Sequence, residues 1–475
     1  MRSLFHRGLS LPSWGACLLL TLWAGQPAAS ALPADVLTAL QRAQVPASSV
    51  AVVVAPAVPG APAWVAHRAT EPVNPASAMK LVTTFAGLDL LGPAHVWRTT
   101  VHTGGAVQNG VLQGHLYLRG GGDPKLVSET LWLLMRRVQA LGIHRVAGDI
   151  VIDRSAFDVP STDPGAFDGE PLRPYNASPD ALLVNFKAQV FGFVPDPAAG
   201  VARVGMEPPM AGVQVPPEVP LSSGPCNDWR ASLKADFTDP VRPRFAGTYP
   251  ATCGERQWPL AHPEPDRMTA RAVLGMWQAV GGQLDGQVRP GVTPPDAMER
   301  LVLESPPLTE VVRDVNKFSN NVMAQHLMLA LAASTPGTPA TFEGARQRIA
   351  NWWVQRVGAG VPPPLVDNGA GLSREARITA EALARLLQVA YVSPMMPELM
   401  SSLPASGLDG TLRRSPMGEG LAHLKTGSLR DVQALAGYVH RPDGQRLVLV
   451  AIVNHPNARA ARPALDALVQ WAARR

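Results

Sequence analysis

Four polar residues and one short run in this chain have the types and spacing needed to attack an amide bond. They are Ser77, Lys80, Ser319, Asn321 and the run Lys425-Thr426-Gly427. A serine becomes a nucleophile when a neighbouring neutral amine takes its proton. Only six of the 42 basic residues are lysine, and Lys80 alone has a serine three positions upstream. Because the pKa of lysine, unlike that of arginine, can be lowered by burial, this pattern predicts a serine–lysine pair.

A buried helix must position that pair. Pro75 precedes Ser77, and apolar residues then recur with helical period at Leu81, Val82, Phe85, Leu88 and Leu91,. Ser77 is therefore predicted at the helix start, with Lys80 one turn further along the same face. An apolar setting disfavours the ammonium form, and the helix N-terminus offers N–H groups to an oxyanion. Taken alone, a serine three residues before a lysine is more often a capping serine and a solvated lysine.

The second element, Ser319-Asn320-Asn321, lies between two predicted helices at 308–316 and 322–333. Ser319 or Asn320 could serve only as an N-cap, which is the simpler interpretation of this element alone. The functional hypothesis gives the Ser319 hydroxyl a relay role, carrying a proton to the leaving amine. In that hypothesis the Asn321 amide binds both the substrate backbone and the catalytic lysine.

The third element, Lys425-Thr426-Gly427-Ser428, is predicted to form an edge strand of a sheet. An extended peptide could pair with such an edge, and Gly427 would let its backbone approach closely. Thr426 and Ser428 can donate hydrogen bonds to a terminal carboxylate, while Lys425 supplies positive charge. The N–H groups of Ser428 and Ser77 are the predicted oxyanion hole.

Strand and helix patterns at both ends of the chain predict the scaffold. A hairpin turn at Pro442-Asp443-Gly444 separates two apolar strands near the C-terminus,. The expected fold is α/β (α+β), an antiparallel sheet with helices on both faces. A membrane-surface helix is the alternative for the last segment, whose polar face has few basic residues. The predicted strands are 49–55, 63–67, 432–439 and 447–453, and the predicted helix is 463–473.

The N-terminus has the pattern of a secretory signal peptide, predicted to span residues 1–31. Arg2 and Arg7 precede an apolar stretch at 14–24, and Ala29-Ser30-Ala31 offers a cleavage site before Leu32,. A transmembrane anchor is the alternative, but the apolar stretch is shorter than the ~20 residues of a span. The sequence therefore predicts an exported, periplasmic protein with at most peripheral membrane contact.

Charge and cysteine content narrow the function further. Removing Arg2 and Arg7 lowers the formal charge from +5 to +3, which is too small and scattered to favour nucleic acid binding,. Cys17 leaves with the signal peptide, so Cys226 and Cys253 remain in an oxidising compartment,. A disulfide between them is expected, with two buried free thiols as the alternative. The 11 histidines show no ligand spacing, so neither a metal nor another cofactor is predicted,.

Together the three elements resemble those of the D-alanyl-D-alanine carboxypeptidase/endopeptidase branch of the penicillin-binding proteins, the class C low-molecular-mass group. The long gap before Ser319 is similar to that branch, which nests extra domains there, whereas beta-lactamases place the second element sooner. Asn320 stands where the family often has Asp. Further similar stretches begin at Tyr117, Gly148, Asp367 and Asp409.

The resemblance implies a penicillin-binding, beta-lactamase-like transpeptidase domain with long nested insertion domains. Its expected parts are residues 32–95 and 262–475 for the catalytic domain and 96–261 for the insertion, with a third domain near 190–258.

The implied reaction is attack by Ser77 on the bond between two D-alanines, or between D-alanine and a diamino acid in a peptidoglycan crosslink. Beta-lactams would acylate the same serine. Arg374 is a candidate for binding a second substrate carboxylate, although pairing with a local acid is the simpler expectation. A beta-lactamase-like hydrolase and a non-catalytic protein that binds the wall or senses beta-lactams are the alternative functions.

Overall fold

The structure, a computed structural model, describes residues 31–333 and 338–474. The predicted signal peptide, apart from Ala31, lies outside these ranges. The helices within them are α1 (Ala34–Arg42), α2 (Lys80–Leu91), α3 (Ser128–Ala140), α4 (Trp229–Ser232), α5 (Pro265–Ala279), α6 (Leu308–Lys317), α7 (Asn321–Ala332), α8 (Phe342–Arg356), α9 (Ala380–Tyr391), α10 (Met396–Ser402) and α11 (Arg462–Arg474).

The strands of the same two ranges form five sheets. They are β1 (Val50–Pro56), β2 (Val65–His67), β3 (Arg98–Thr103), β4 (Val107–Gln108), β5 (Val111–Leu112), β6 (Leu116–Arg119), β7 (Arg145–Val146), β8 (Ile150–Asp153), β9 (Ala188–Asp196), β10 (Val201–Glu207), β11 (Glu218–Ser222), β12 (Ala235–Asp236), β13 (Arg244–Phe245), β14 (Tyr249–Pro250), β15 (Arg256–Ala261), β16 (Gln283–Leu284), β17 (Val288–Pro290), β18 (Met298–Glu304), β19 (Ala422–Leu429), β20 (Val432–His440) and β21 (Arg446–Asn454).

The terminal sheet joins the two ends of the chain in the order β19-β20-β21-β1-β2, with every pair antiparallel. This confirms the predicted antiparallel sheet and its hairpin. Val52 and Val53 of β1 point into different hydrophobic cores because side chains alternate across a strand,. Both faces of the sheet are therefore covered, which explains why β21 is apolar at almost every position,.

Helices cover the terminal sheet on both sides. One core includes residues of α1 and α11, and Leu465, Leu468 and Val469 of α11 are buried in it. The predicted C-terminal helix thus packs on the sheet. The other core joins the sheet to α2, α6, α7, α8 and α9. Ser77, Ser319 and Lys425 all belong to elements on this second side.

A second sheet, ordered β17-β8-β6-β3-β18, begins soon after α2. It shares a core with α3, α5 and a small sheet ordered β16-β7-β5-β4. The sequence assigned residues from 262 onward to the catalytic domain, but α5 packs in this core and β18 pairs with β3. The chain returns to the first core only near Leu308. Helical or strand periodicity does not reveal which sheet an element joins, so the sequence could not indicate this later boundary.

A third sheet, ordered β14-β11-β10-β9-β15, lies between β8 and α5 in sequence. Its core is largely aromatic, with Phe191, Phe193, Trp229 and Tyr249 buried together. The expected disulfide is present beside it, with Cys226 Sγ and Cys253 Sγ 2.08 Å apart. Between β8 and β9 the chain has only two short 3₁₀ turns, Pro174–Asn176 and Asn185–Lys187. This irregular stretch reaches the cleft described below.

No helix in the described ranges combines the length and the hydropathy that crossing a bilayer would require.

Candidate active site

Ser77 lies in a 3₁₀ turn, Ala76–Met79, that runs directly into α2. The predicted helix start is therefore confirmed, with a tighter first turn. Ala76 is fully buried and has a left-handed backbone with φ +47°, a conformation that costs a non-glycine residue about 1–2 kcal/mol,. The Asn74 side chain accepts the Ala76 N–H at 2.9 Å, and Asn454 of β21 accepts the Asn74 N–H at 2.8 Å. The end of the terminal sheet thus restrains the turn that carries the serine hydroxyl.

Lys80 is completely buried beneath Ser77. Its Nζ donates to Asn321 Oδ1 at 2.7 Å and to the Ala370 carbonyl at 2.5 Å, and it lies 3.0 Å from Ser77 Oγ. Burial, followed by the charge of Lys425, holds the pKa of Lys80 well below its usual value,. A neutral amine has two N–H groups and one lone pair. Two carbonyl oxygens engage both N–H groups, so the lone pair is left to face the Ser77 hydroxyl.

The second element connects α6 to α7. Asn320 is the N-cap of α7, and its side chain accepts the Met323 N–H at 3.1 Å. Asn321 is the first residue of that helix, and its side chain faces Lys80. Ser319 has a left-handed backbone with φ +58°. Capping is therefore performed by Asn320, which leaves Ser319 and Asn321 available for other contacts.

Lys425 links the second element to the third. It lies in β19, which is the edge strand that the sequence predicted. The side chain is completely buried, and Nζ donates to Ser319 Oγ and to the Thr426 carbonyl, both at 2.9 Å. Burial lowers the pKa of Lys425 to about 7. Two amines with lowered pKa values thus each lie within hydrogen-bond distance of a serine hydroxyl, and the charge of Lys425 reaches Lys80.

Gly427 and Gly371 allow two other segments to approach the turn of Ser77 closely. A Cβ at Gly427 would lie 2.5 Å from the Pro75 carbonyl, and one at Gly371 would lie 1.9 Å from the Ala76 carbonyl. Both glycines therefore abut the turn that carries Ser77. The sequence had explained Gly427 by close approach of a substrate backbone, whereas its absent side chain faces the turn.

Residues 409–412, singled out in the sequence, support β19 from below. Thr426 Oγ1 donates to Thr411 Oγ1 at 2.8 Å. Asp409 forms an ion pair with Lys317 at the end of α6, with Nζ and Oδ2 2.5 Å apart. These contacts join the edge strand to the helix that precedes Ser319, so the spacing between the second and third elements is restrained from two directions.

A cleft of about 910 Å³ opens above these residues. Ser77 is half-buried at its floor and Ser428 is exposed on its rim. The lining side chains come from all three elements, from the irregular stretch between β8 and β9, and from segments near residues 372, 430 and 459. They are Ser77, Phe167, Asp168, Glu170, Tyr175, Phe318, Ser319, Asn321, Leu372, Arg374, Ser428, Leu429, Arg430, Gln433 and Arg459.

Comparison with known proteins identifies the family of this chain. Residues 32–475 match the D-Ala-D-Ala carboxypeptidase 3 (S13) family. The chain belongs to this family. It is a serine-type D-Ala-D-Ala carboxypeptidase with the fold of a penicillin-binding protein.

Two curated relatives and one solved structure illustrate how close this S13 carboxypeptidase is to other members. It is 29% identical over 418 residues to a D-alanyl-D-alanine carboxypeptidase of Actinomadura sp. strain R39, across 82% of this chain and 75% of the relative. It is 24% identical to the DacB carboxypeptidase of Haemophilus influenzae, across 80% of each. The crystal structure of penicillin binding protein 4 from Haemophilus influenzae matches with a TM-score of 0.70 at 22% identity, covering 92% of this chain and 99% of the other.

Arg374 of this S13 carboxypeptidase lies on the cleft wall and also pairs with a local acid. Its Nη1 donates to Asp431 Oδ1 at 3.1 Å, and the guanidinium lies 4.7 Å from the centre of the Phe167 ring. The pairing with a local acid, which was the simpler expectation from the sequence, is therefore present. A role in binding substrate stays a prediction.

The sequence interpretation missed the cleft segment, which we define as residues 167–176. Asn321 Nδ2 donates to the Tyr175 carbonyl at 3.0 Å, so this segment touches the candidate catalytic set. The contact uses a backbone carbonyl, which any residue type supplies, so no motif could have indicated it. The length of chain without regular structure between β8 and β9 is the one signal that could have indicated it, because long loops in compact domains are often functional,.

Proposed function

We propose that Ser77 attacks the carbonyl carbon of the penultimate D-alanine in peptidoglycan stem peptides and forms an acyl-enzyme. One observation carries this proposal: the two carbonyl acceptors on Lys80 leave its lone pair for Ser77 Oγ, 3.0 Å away. In this arrangement the amine accepts the hydroxyl proton as the oxygen attacks. Burial supplies the low pKa that the neutral amine requires,.

The oxyanion formed by this attack needs N–H donors. We assign that role to the backbone N–H groups of Ser77, in the turn before α2, and Ser428, in the edge strand β19. The close contact of Gly427 with the Pro75 carbonyl supports this pairing, because it brings the two segments together. A substrate that extends along the exposed edge of β19 would present its carbonyl between them.

Departure of the terminal D-alanine requires a proton on its nitrogen. The proposed route runs from Lys80 to the leaving amine through the Ser319 hydroxyl, which Lys425 contacts at 2.9 Å,. Lys425 and Ser428 provide the positive charge and a hydroxyl donor suited to the terminal carboxylate, and Thr426 provides a second donor when its hydroxyl turns from Thr411 to the substrate. Water then hydrolyses the ester and restores the Ser77 hydroxyl.

The same chemistry applies to a crosslink, where the leaving amine belongs to a diamino acid rather than to D-alanine. We propose this endopeptidase action as well. The cleft has a volume of about 910 Å³, and Arg374 on its wall offers a cation for a second carboxylate. The inserted region, whose sheets we assign to the second and third domains, contributes the opposite wall through the cleft segment.

Beta-lactams are the expected covalent inhibitors. A structure of the Haemophilus influenzae protein is complexed with a novel beta-lactam, and its fold is shared by this chain. The Cys226–Cys253 disulfide is consistent with an oxidising compartment such as the periplasm,. We therefore propose that the protein is exported to the periplasm and acts there on the cell wall, without a cofactor or nucleic acid.

The test is digestion of purified crosslinked muropeptides by the wild type and by Ser77→Ala, with labelled penicillin as a parallel probe. We expect D-alanine and monomeric muropeptides from the wild type alone, and lasting label on Ser77. Equal release by both proteins would remove Ser77 from this role. Rapid turnover of the label would instead favour a beta-lactamase, and no labelling would favour a non-catalytic protein.

A further inference from the structure

One carboxylate joins the two ends of the cleft segment. Asp168 Oδ1 accepts the Glu170 N–H at 3.1 Å and Asn176 Nδ2 at 2.8 Å, and Oδ2 accepts the Tyr175 hydroxyl at 2.8 Å. Asn176 Nδ2 also donates to the Glu170 carbonyl at 3.0 Å. These bonds close residues 168–176 into a compact loop in a stretch that lacks sheet pairing.

The charge of Asp168 is stabilised by these contacts. Burial opposes ionisation, but the hydrogen bonds from Tyr175 and Asn176 outweigh it and lower the pKa of Asp168,. Burial and the bond to Asp168 raise the pKa of Tyr175 to about 12. The carboxylate therefore stays ionised and the phenol stays protonated at neutral pH, so the loop keeps these bonds across the working range of an enzyme.

The loop presents one backbone group to the catalytic set. The Tyr175 carbonyl accepts Asn321 Nδ2 at 3.0 Å, while Asn321 Oδ1 accepts Lys80 Nζ at 2.7 Å. A side-chain amide has a donor end and an acceptor end. With the carbonyl on the donor end, the acceptor end must face the lysine, because a flipped amide would oppose two oxygens and direct an N–H at Nζ.

We infer that Asp168 is a positioning residue that acts through the Tyr175 carbonyl to hold the Asn321 amide with its oxygen on Lys80. The inserted region would then determine the orientation of a group in the catalytic domain. This inference rests on the proposed function, because it gives Lys80 and Asn321 their roles in acylation. It differs from a substrate-binding role for Asp168, although the residue also lines the cleft.

Asp168→Asn tests the inference with almost no change in shape. Each partner of the carboxylate donates a hydrogen bond, so an amide NH2 must oppose one of these donors. We expect the second-order rate constant for acylation by benzylpenicillin to fall about 10-fold, the scale expected of a small misplacement of a reacting group. Tyr175→Phe removes one bond and keeps the carbonyl, so its loss should be smaller.

The pH profile separates positioning from a general structural role. An amide oxygen on Nζ favours the ammonium form, so its loss lowers the pKa of Lys80 further. The acid limb of the acylation profile should therefore move to lower pH in Asp168→Asn. Asp163→Asn is the matched control, because Asp163 caps a turn of the same stretch through the Gly165 N–H and contacts neither Tyr175 nor Asn321 in the described structure.

A double-mutant cycle decides between the two roles. If Asp168 acts through Asn321, the Asp168→Asn change costs nothing further in an Asn321→Ala background. An equal loss in both backgrounds, or a loss confined to peptide substrates, would make Asp168 a substrate contact and overturn the inference. Wild-type protein that benzylpenicillin fails to acylate would instead refute the proposed function, so the two failures are distinguishable.

Discussion

The two walls of the cleft are held in place by different means. On one side, Ser77, Ser319 and Lys425 each lie at the end or edge of a regular element, and buried side chains and close glycine contacts hold them. On the other side, the cleft segment has only a short 3₁₀ turn and relies on hydrogen bonds within the loop, three of them to the Asp168 carboxylate.

The two walls therefore suit two different tasks, proton transfer and contact with the substrate. Proton transfer demands fixed positions, and burial in a packed core supplies both the position and the lowered pKa of a lysine. Contacts to a variable substrate can be made by a loop, whose residues can change without disturbing a core. The bond between Asn321 and the Tyr175 carbonyl is where the two walls meet.

The largest expected effect comes from Lys80→Arg, which replaces the neutral amine beside Ser77 with a permanent cation. Arginine stays charged in proteins, so it has no lone pair for the Ser77 proton. We expect acylation by benzylpenicillin to fall by about 10²- to 10⁴-fold, the usual contribution of a general base. Stopped-flow or gel-based labelling measures this loss. Lys234→Arg, near the third sheet, is the control. Comparable acylation rates in Lys80→Arg and Lys234→Arg would refute the role of Lys80.

A second prediction concerns the coupling of the two buried amines. Below pH 7 Lys425 is largely protonated, and its charge adds to burial in lowering the pKa of Lys80. Lys425→Met removes that charge, so the pKa of Lys80 rises and the acid limb of the acylation profile moves to higher pH,. Rate constants measured from pH 4 to 9 test this. Lys234→Met is the control and should leave the acid limb where it is in the wild type. An unchanged acid limb in Lys425→Met would show that the two amines act independently.

The smallest expected effect belongs to Arg374, which touches both walls through Asp431 and Phe167. Arg374→Gln should reduce kcat/KM about 10-fold for peptides with a second carboxylate, the scale of one hydrogen bond to a charged group. Acylation by benzylpenicillin should change less than about twofold, since the serine and its base are untouched. Arg348→Gln on α8 is the control. Equal losses for peptide and antibiotic would assign Arg374 a structural role.

Predictions from sequence succeeded where the information was local or repeated along one element. The start of α2 followed from Pro75 and the apolar period after Ser77, and the edge position of β19 followed from its place before a hairpin. The assignment of residues 262–304 to the catalytic domain failed, because pairing of β18 with β3 joins segments far apart in sequence. The cleft segment was missed because its decisive group is a backbone carbonyl.

The order of Ser77, Lys80, Ser319, Asn321 and Lys425, together with the one-turn spacing of the first two, determined the family and the expected chemistry before any coordinates. Such features are written in residue types and short distances along the chain. The tertiary structure decided how the amines share their contacts and which end of the Asn321 amide faces Lys80. Those outcomes depend on the Ala370 and Tyr175 carbonyls, which approach from distant segments and carry no side-chain signature.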